Sequence, residues 1–137
     1  MLFRSAVKEA TSASIEGLSV LLVEDNELNM EIAKFIIENE GANVTCATNG
    51  KEAVNIYKKS PKFFDIILMD IMMPEMDGYE ATKVIRSLDS KIPIVAMTAN
   101  AFMEDKIKAK KAGMNAHVSK PLDKDTLVQV VAKLCKK

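Results

Sequence analysis

The sequence predicts an α/β domain of the (βα)5 type, a doubly wound parallel sheet with strand order 2-1-3-4-5. Three observations carry that expectation. From Leu18 onward, short apolar runs alternate with amphipathic stretches, the pattern of successive βα units. Several runs, Ile66-Ile67-Leu68-Met69 among them, are apolar without the alternation of a half-exposed strand, as strands covered on both faces should be. The second run ends near Thr48-Asn49 with no reactive side chain comparable to those at the other strand ends, which fits an edge position.

Taken in order, the strands fall at Ser19–Val23, Asn43–Ala47, Asp65–Met69, Pro93–Met97 and Ala116–Ser119, in most cases β-branched. Leu28, Ile32, Phe35 and Ile36 recur at helical spacing up to Gly41 and mark the first helix. Ala53, Val54 and Tyr57 mark the second after Asn49-Gly50, and Ala81, Val84, Ile85 and Leu88 the third after Asp77-Gly78. A fourth runs from about Ala101 to Ala112 and ends at Gly113. The fifth opens at Asp123, whose side chain can cap it while Leu122 packs on Leu127. Crossovers between parallel strands are expected to be right-handed. Residues 1–17, rich in Ser, Ala and Thr, hold no strand-like run and at most a weak helix over Ser5 to Ala13; they read as a linker or tail before a domain at 18–137.

Composition narrows the class of function. The chain has 137 residues with 19 basic and 19 acidic side chains, so no overall field attracts nucleic acid or an anionic membrane. The charge is uneven: residues 1–103 carry ten basic against fifteen acidic groups, residues 104–137 nine against four. An anionic partner would therefore need a local patch. The apolar runs fall far short of the roughly 20 residues of a membrane span, and the N-terminus has no long apolar region of the kind that directs secretion. The reading is a cytoplasmic domain that contacts neither membrane nor nucleic acid. Cys46 and Cys135 lie far apart, form no CxxC pair and have only His117 for company, so inert thiols are expected rather than a zinc site or disulfide.

In a parallel sheet all strand C-termini emerge on one edge, where ligands bind. Here that edge collects Glu24 and Asp25, Asp70, Thr98 and Lys120. At about 5 Å and an effective dielectric near 20, each carboxylate pair repels by roughly 3 kcal/mol. A cation is required. Oxygen ligands with an ammonium nearby favour a hard ion that keeps water, Mg²⁺ ahead of Ca²⁺ or Zn²⁺. Lys120 and the Thr98 hydroxyl beside it suit the oxygens of a phosphoryl group, and the nucleophile would be a carboxylate. Singly, each residue reads as a cap, a strand residue or a solvated charge; jointly they describe a phosphoryl-transfer site.

The segments Val20-Leu21-Leu22-Val23-Glu24-Asp25-Asn26, Asp70-Ile71-Met72-Met73-Pro74-Glu75-Met76-Asp77-Gly78, Met97-Thr98-Ala99 and Lys120-Pro121 resemble the receiver domain of two-component response regulators. The stretches Glu24 to Asn29 and Asn115 to Pro121 most resemble receivers of hybrid sensor histidine kinases. The resemblance implies a flavodoxin-like fold with Asp70 as phosphoacceptor. It implies Mg²⁺ held by Asp25, Asp70 and the Met72 carbonyl, with Glu24 acting through water. Lys120 would contact first the acceptor and then the phosphoryl group, and Thr98 the phosphoryl oxygen. The implied donor is a histidine kinase or histidine phosphotransfer domain, and the chain would promote its own phosphorylation and dephosphorylation without being a free-standing enzyme. A downstream protein would bind the face of the fourth helix, fifth strand and fifth helix, whose Lys106, Lys108, Lys110 and Lys111 read either as a solvated face or as a site for an acidic partner. His117 stands where the family often has a switch Tyr or Phe; a partly exposed strand residue is the other reading. Lys120-Pro121 is expected to be cis. Met72 and Asn100 fall where the family tunes dephosphorylation; Met72 would shield the phosphoryl group, or the two merely line the site and cap a helix.

Three alternatives share parts of this pattern. A dinucleotide oxidoreductase needs a glycine-rich turn where this chain has Val23-Glu24-Asp25-Asn26-Glu27. A haloacid dehalogenase-type phosphatase needs a second Asp two residues after the nucleophile, where this chain has Met72. A binding-only receiver normally lacks part of the acidic set or the Lys, all of which are present here.

Overall fold

The computed structural model describes residues 14–73, 76–88, 90–99 and 103–135. Its elements alternate along the chain: β1 (Ser19–Val23), α1 (Glu27–Asn39), β2 (Asn43–Ala47), α2 (Gly50–Lys59), β3 (Ile66–Asp70), α3 (Gly78–Ser87), β4 (Ile94–Thr98), α4 (Met103–Ala112), β5 (Ala116–Ser119) and α5 (Lys124–Leu134). The five strands are parallel in the order β2-β1-β3-β4-β5, as the apolar runs predict.

Two corrections concern strand limits. β3 and β4 each begin and end one residue later than expected, so Asp70 and Thr98 are the last residues of their strands. Pro93 has no N–H to give a neighbour, so its strand starts at Ile94, and Asp65 spends its carboxylate on the Ser19 N–H at 2.8 Å. At the other end the ladder runs on: Ile71 N–H donates to Met97 O at 3.2 Å and Lys120 N–H to Thr98 O at 2.8 Å.

Both sheet faces are covered, which explains the unbroken apolar runs. Leu21, Val23, Ile67, Met69, Ile94 and Ala96 pack under α2, α3 and α4 through Ala53, Val54, Tyr57, Ala81, Ile85 and Ala109. Their strand neighbours Val20, Leu22, Ile66, Leu68, Val95 and Met97 pack against Met30, Ala33 and Ile37 of α1 and Leu127, Val128 and Val131 of α5. Ile15 is 1% exposed and joins this second cluster, so the packed unit takes in the end of the stretch read as a tail; the expected helix over Ser5 to Ala13 lies outside the described residues.

The periodicity marks α1 correctly but not the side it buries. Leu28, Ile32 and Phe35 are 66%, 46% and 69% exposed. The helix carries two apolar stripes, and the one with the small Ala33 faces the sheet, where it permits close approach. Leu88 is also exposed because α3 ends one residue earlier. The expected start of the fourth helix at Ala101 lies outside the described residues, but its end holds: Gly113 follows α4 at φ 108°, a conformation strained for residues with a Cβ. Asp123 caps α5 through the Thr126 N–H at 2.9 Å, and Leu122 packs on the cluster containing Leu127. Cys46 and Cys135 are half-buried and not joined by a disulfide, and burial pushes the Cys46 thiol pKa up. Among the described residues no helix is long and apolar enough to cross a membrane.

Candidate functional site

The register lines up the strand ends that carry the acidic and basic side chains. Val23 lies opposite Ala47 and Met69, Asp70 opposite Met97, and Thr98 opposite Ser119. One further ladder bond, Glu24 N–H to Ala47 O at 3.0 Å, fixes Glu24 just past β1. The side chains of Glu24, Asp25 and Asp70 converge, with one carboxylate oxygen from each lying within 4.8 Å of the others. Lys120 reaches into the group from beyond β5, its Nζ 2.9 Å from Glu24 Oε1 and 3.2 Å from Asp70 Oδ2. The Lys120-Pro121 peptide is cis, as expected.

Glu24 and Asp70 are each 2% exposed, whereas Asp25 is open to solvent. Burial pushes the Asp70 carboxyl up to about 7, and the Glu24 charge adds to this; the Met72 N–H donating to its Oδ1 at 3.1 Å and the Lys120 ammonium act the other way. Burial alone would lower the Lys120 pKa, but its bonds to Glu24 and Asp70 outweigh this and raise it. Three carboxylates against one ammonium leave two negative charges in excess, matching one divalent cation on hard oxygen ligands. The donor set therefore fits Mg²⁺.

Two further residues shape the site, and the sequence reading assigned neither a role there. Asn26 caps α1 by accepting from Asn29 N–H at 2.9 Å, and its own N–H donates to Glu24 Oε2 at 3.2 Å, orienting that carboxylate. Gly78, a helix-start signal in the sequence, lies so close under β3 that a Cβ there would collide with Asp70 O and come within 2.8 Å of Ile71 Cα. No residue with a side chain fits without moving the acceptor's backbone. The Asp-Gly pair that announces a helix start is the signal that could have revealed this.

The remaining expected residues divide. Thr98 is buried at the end of β4 and lines a narrow cleft with His117 of β5, Ile71, Ala96, Asp105 and Lys106. His117 is half-buried there, beside the acceptor's neighbouring strand rather than in the acidic group. Met72 stands at the rim with 74% of its surface exposed. Asn100 lies outside the described residues.

The fold is thus a doubly wound domain with three carboxylates and a lysine gathered at its strand ends. Residues 20–132 match the response regulator receiver domain family, and the chain belongs to that family. It is 36% identical over 138 residues to probable histidine kinase 6 of Oryza sativa subsp. japonica, covering 86% of this chain and 14% of that protein. The chain thus spans about one seventh of that relative's length. Among solved structures, the receiver domain of sensor histidine kinase PA1611 from Pseudomonas aeruginosa PAO1, with a magnesium ion coordinated in its active site cleft, superposes with a TM-score of 0.79. It is 34% identical, over 88% of this chain and 99% of that one. The receiver domain of the Saccharomyces cerevisiae response regulator Ssk1, crystallised with the histidine phosphotransfer protein Ypd1, gives a TM-score of 0.81. Its identity is 31%, over 87% of this chain and 89% of that one. The function is that of a receiver domain of two-component signalling.

Proposed function

We propose that this domain accepts a phosphoryl group from phosphohistidine onto Asp70. The observation that carries the reading is the buried Asp70 carboxylate held between Lys120 and two further carboxylates at the strand ends. An Asp70 oxygen attacks phosphorus as the P–N bond breaks, and the electron pair returns to the donor imidazole, which is protonated from solvent. Lys120, 3.2 Å from Asp70 Oδ2, stabilises the carboxylate before transfer and the phosphoryl oxygens after it. The Met72 N–H holds the other Asp70 oxygen in place. Mg²⁺, when held by Asp25, Asp70 and the Met72 carbonyl with Glu24 through water, supplies charge neutralisation of the transferring group. Thr98 turns toward the phosphoryl oxygen, and the added charge of about −1.5 to −2 biases the face of α4, β5 and α5, with His117 as a switching residue on it.

The donor is a histidine kinase or phosphotransfer domain, and the domain is the cytoplasmic receiver of a hybrid sensor kinase. Incubation with a phosphorylated phosphotransfer domain and Mg²⁺ should give one acid-labile, hydroxylamine-sensitive adduct, mapped by peptide analysis to Asp70. An adduct at another residue, or none, would overturn the assignment.

Dephosphorylation is a second measurable property. Met72, exposed at the rim and without a hydrogen-bonding group, shields phosphorus from an in-line water. Met72→Asn should therefore shorten the lifetime of phospho-Asp70 in Mg²⁺ buffer by about tenfold, about 1–2 kcal/mol in barrier. An unchanged lifetime would show that Met72 only lines the site.

A further inference from the structure

Gly50 opens α2 with a backbone that any residue can adopt, since it is not among the glycines at positive φ. Alanine forms helices better than glycine, so helix propensity does not call for a glycine there. Space does. A Cβ at position 50 would collide with the Met76 carbonyl oxygen, with Met76 Cγ at 3.1 Å and Ala81 Cβ at 3.2 Å around it. The start of α2 is pinned from its own side. Asn49 Oδ1 accepts the Glu52 N–H at 2.7 Å, and Glu52 Oε1 accepts the Thr48 N–H at 2.6 Å and the Thr48 hydroxyl at 2.9 Å. Met76 is therefore the part that must give way. It is joined to Gly78 through Asp77, whose Oδ1 caps α3 by accepting the Glu80 N–H at 2.9 Å. Gly78 N–H in turn donates to Ile71 O at 3.3 Å. That oxygen belongs to the same planar peptide as the Met72 N–H, which donates to Asp70 Oδ1 at 3.1 Å. A shift passed from Met76 to Gly78 thus tilts the peptide that orients the acceptor.

We propose that Gly50 is a positioning residue for Asp70, setting the tilt of the Ile71–Met72 peptide through Met76 and Gly78. The inference rests on the phosphoacceptor and Mg²⁺ reading above, and it adds a residue from the neighbouring βα unit that touches none of the reacting groups. The N–H of that peptide holds one Asp70 oxygen, and the Met72 carbonyl that would hold the ion follows it directly in the chain. Displacing the peptide therefore disturbs the nucleophile and the metal ligands together. Because the start of α2 and the metal site share this chain of contacts, binding at one end should steady the other.

The test compares Mg²⁺ affinity, measured by titration calorimetry, with stability, measured by denaturant unfolding. Gly50→Ala should weaken Mg²⁺ binding about tenfold and slow labelling by a small phosphodonor at saturating Mg²⁺ by a similar factor, the scale of losing a residue that orients a metal ligand. Tyr57→Phe is the control at the other end of α2. It removes the hydroxyl paired with Ser90 Oγ at 2.6 Å and should lower stability with Mg²⁺ affinity unchanged. In the wild type, Mg²⁺ should slow amide exchange at Gly78 and also at Ala53, whose N–H donates to Asn49 O at 3.0 Å in the first turn of α2. A folded Gly50→Ala domain that binds Mg²⁺ as tightly as the wild type overturns the inference, as does an equal loss of affinity in Tyr57→Phe. If Gly50→Ala does not fold, exchange at Ala53 in the wild type decides, and a rate that Mg²⁺ leaves unchanged overturns the inference. A wild type that binds no Mg²⁺ would instead sink the metal reading.

Discussion

Asp70→Asn will take up no phosphoryl group, yet in metal-free buffer at pH 8 it will be more stable than the wild type by about 1–3 kcal/mol. Loss of uptake follows from loss of the nucleophile. The gain in stability follows from the site: Asp70 is buried among Glu24 and Asp25, with carboxylate oxygens within 4.8 Å, and Lys120 compensates only part of that repulsion. Burial, reinforced by the Glu24 charge, lifts its carboxyl from 3.8 to about 7. The folded chain therefore binds a proton that the unfolded chain has released. The metal-free wild type is stabilised by that proton at low pH and loses the stabilisation as pH rises from about 4 through about 7. An amide at position 70 has no such loss, so the difference should be small at pH 5 and full at pH 8. Mg²⁺ should reverse the order by stabilising the wild type and not the variant. Lys120→Met carries the opposite sign: it leaves Glu24 and Asp70 without their countercharge and should cost about 2–4 kcal/mol in the same buffer. Denaturant unfolding with and without chelator measures all three. An Asp70→Asn domain no more stable than the wild type at pH 8 would refute the electrostatic account.

How much of this was legible in the sequence depends on the physics behind each feature. The strand order, the convergence of Glu24, Asp25, Asp70 and Lys120 and the place of Thr98 at the end of β4 follow from topology: a parallel sheet has one C-terminal edge, and every strand that reaches it delivers its end residue there. One-residue limits were not legible for β3 and β4, because where a ladder stops depends on partners such as Met97 O and Thr98 O in other segments. The role of Gly78 was hidden for a related reason, since a close approach of α3 to the Asp70 carbonyl leaves no mark on local pattern beyond the glycine itself. The buried side of α1 was hidden because Leu28, Ile32, Phe35 and Met30, Ala33, Ile37 both have helical spacing, and hydropathy favours the larger residues. The sheet accepted the slimmer stripe. That choice left three large apolar side chains in solvent on the helix that begins at the site.

Replacing both Leu28 and Phe35 by Asp will slow phosphoryl transfer from a phosphotransfer protein by about thirtyfold or more, on the scale of a lost interface anchor, and leave labelling by a small phosphodonor unchanged. The Asp70 side chain is buried, so a protein donor must cover the rim of the site to bring its phosphohistidine to it. On the α1 side that rim is apolar. Leu28 lies in the first turn of the helix whose cap, Asn26, touches Glu24, and Phe35 is about 10 Å further along the same axis. Ile32 between them opens onto a cleft lined by Glu24, Asn29, Lys120, Pro121 and Leu122, continuous with the acidic group. On the phosphotransfer reading proposed above, this stripe of exposed large side chains is the surface that the donor would cover. Because Leu28 and Phe35 face away from the core, the double substitution should leave thermal unfolding within about 0.5 kcal/mol of the wild type. Single-turnover transfer kinetics with the two classes of donor separate docking from chemistry. Equal loss with the small donor would place the damage in the site itself, and undiminished transfer from the protein donor would show that it approaches over another face.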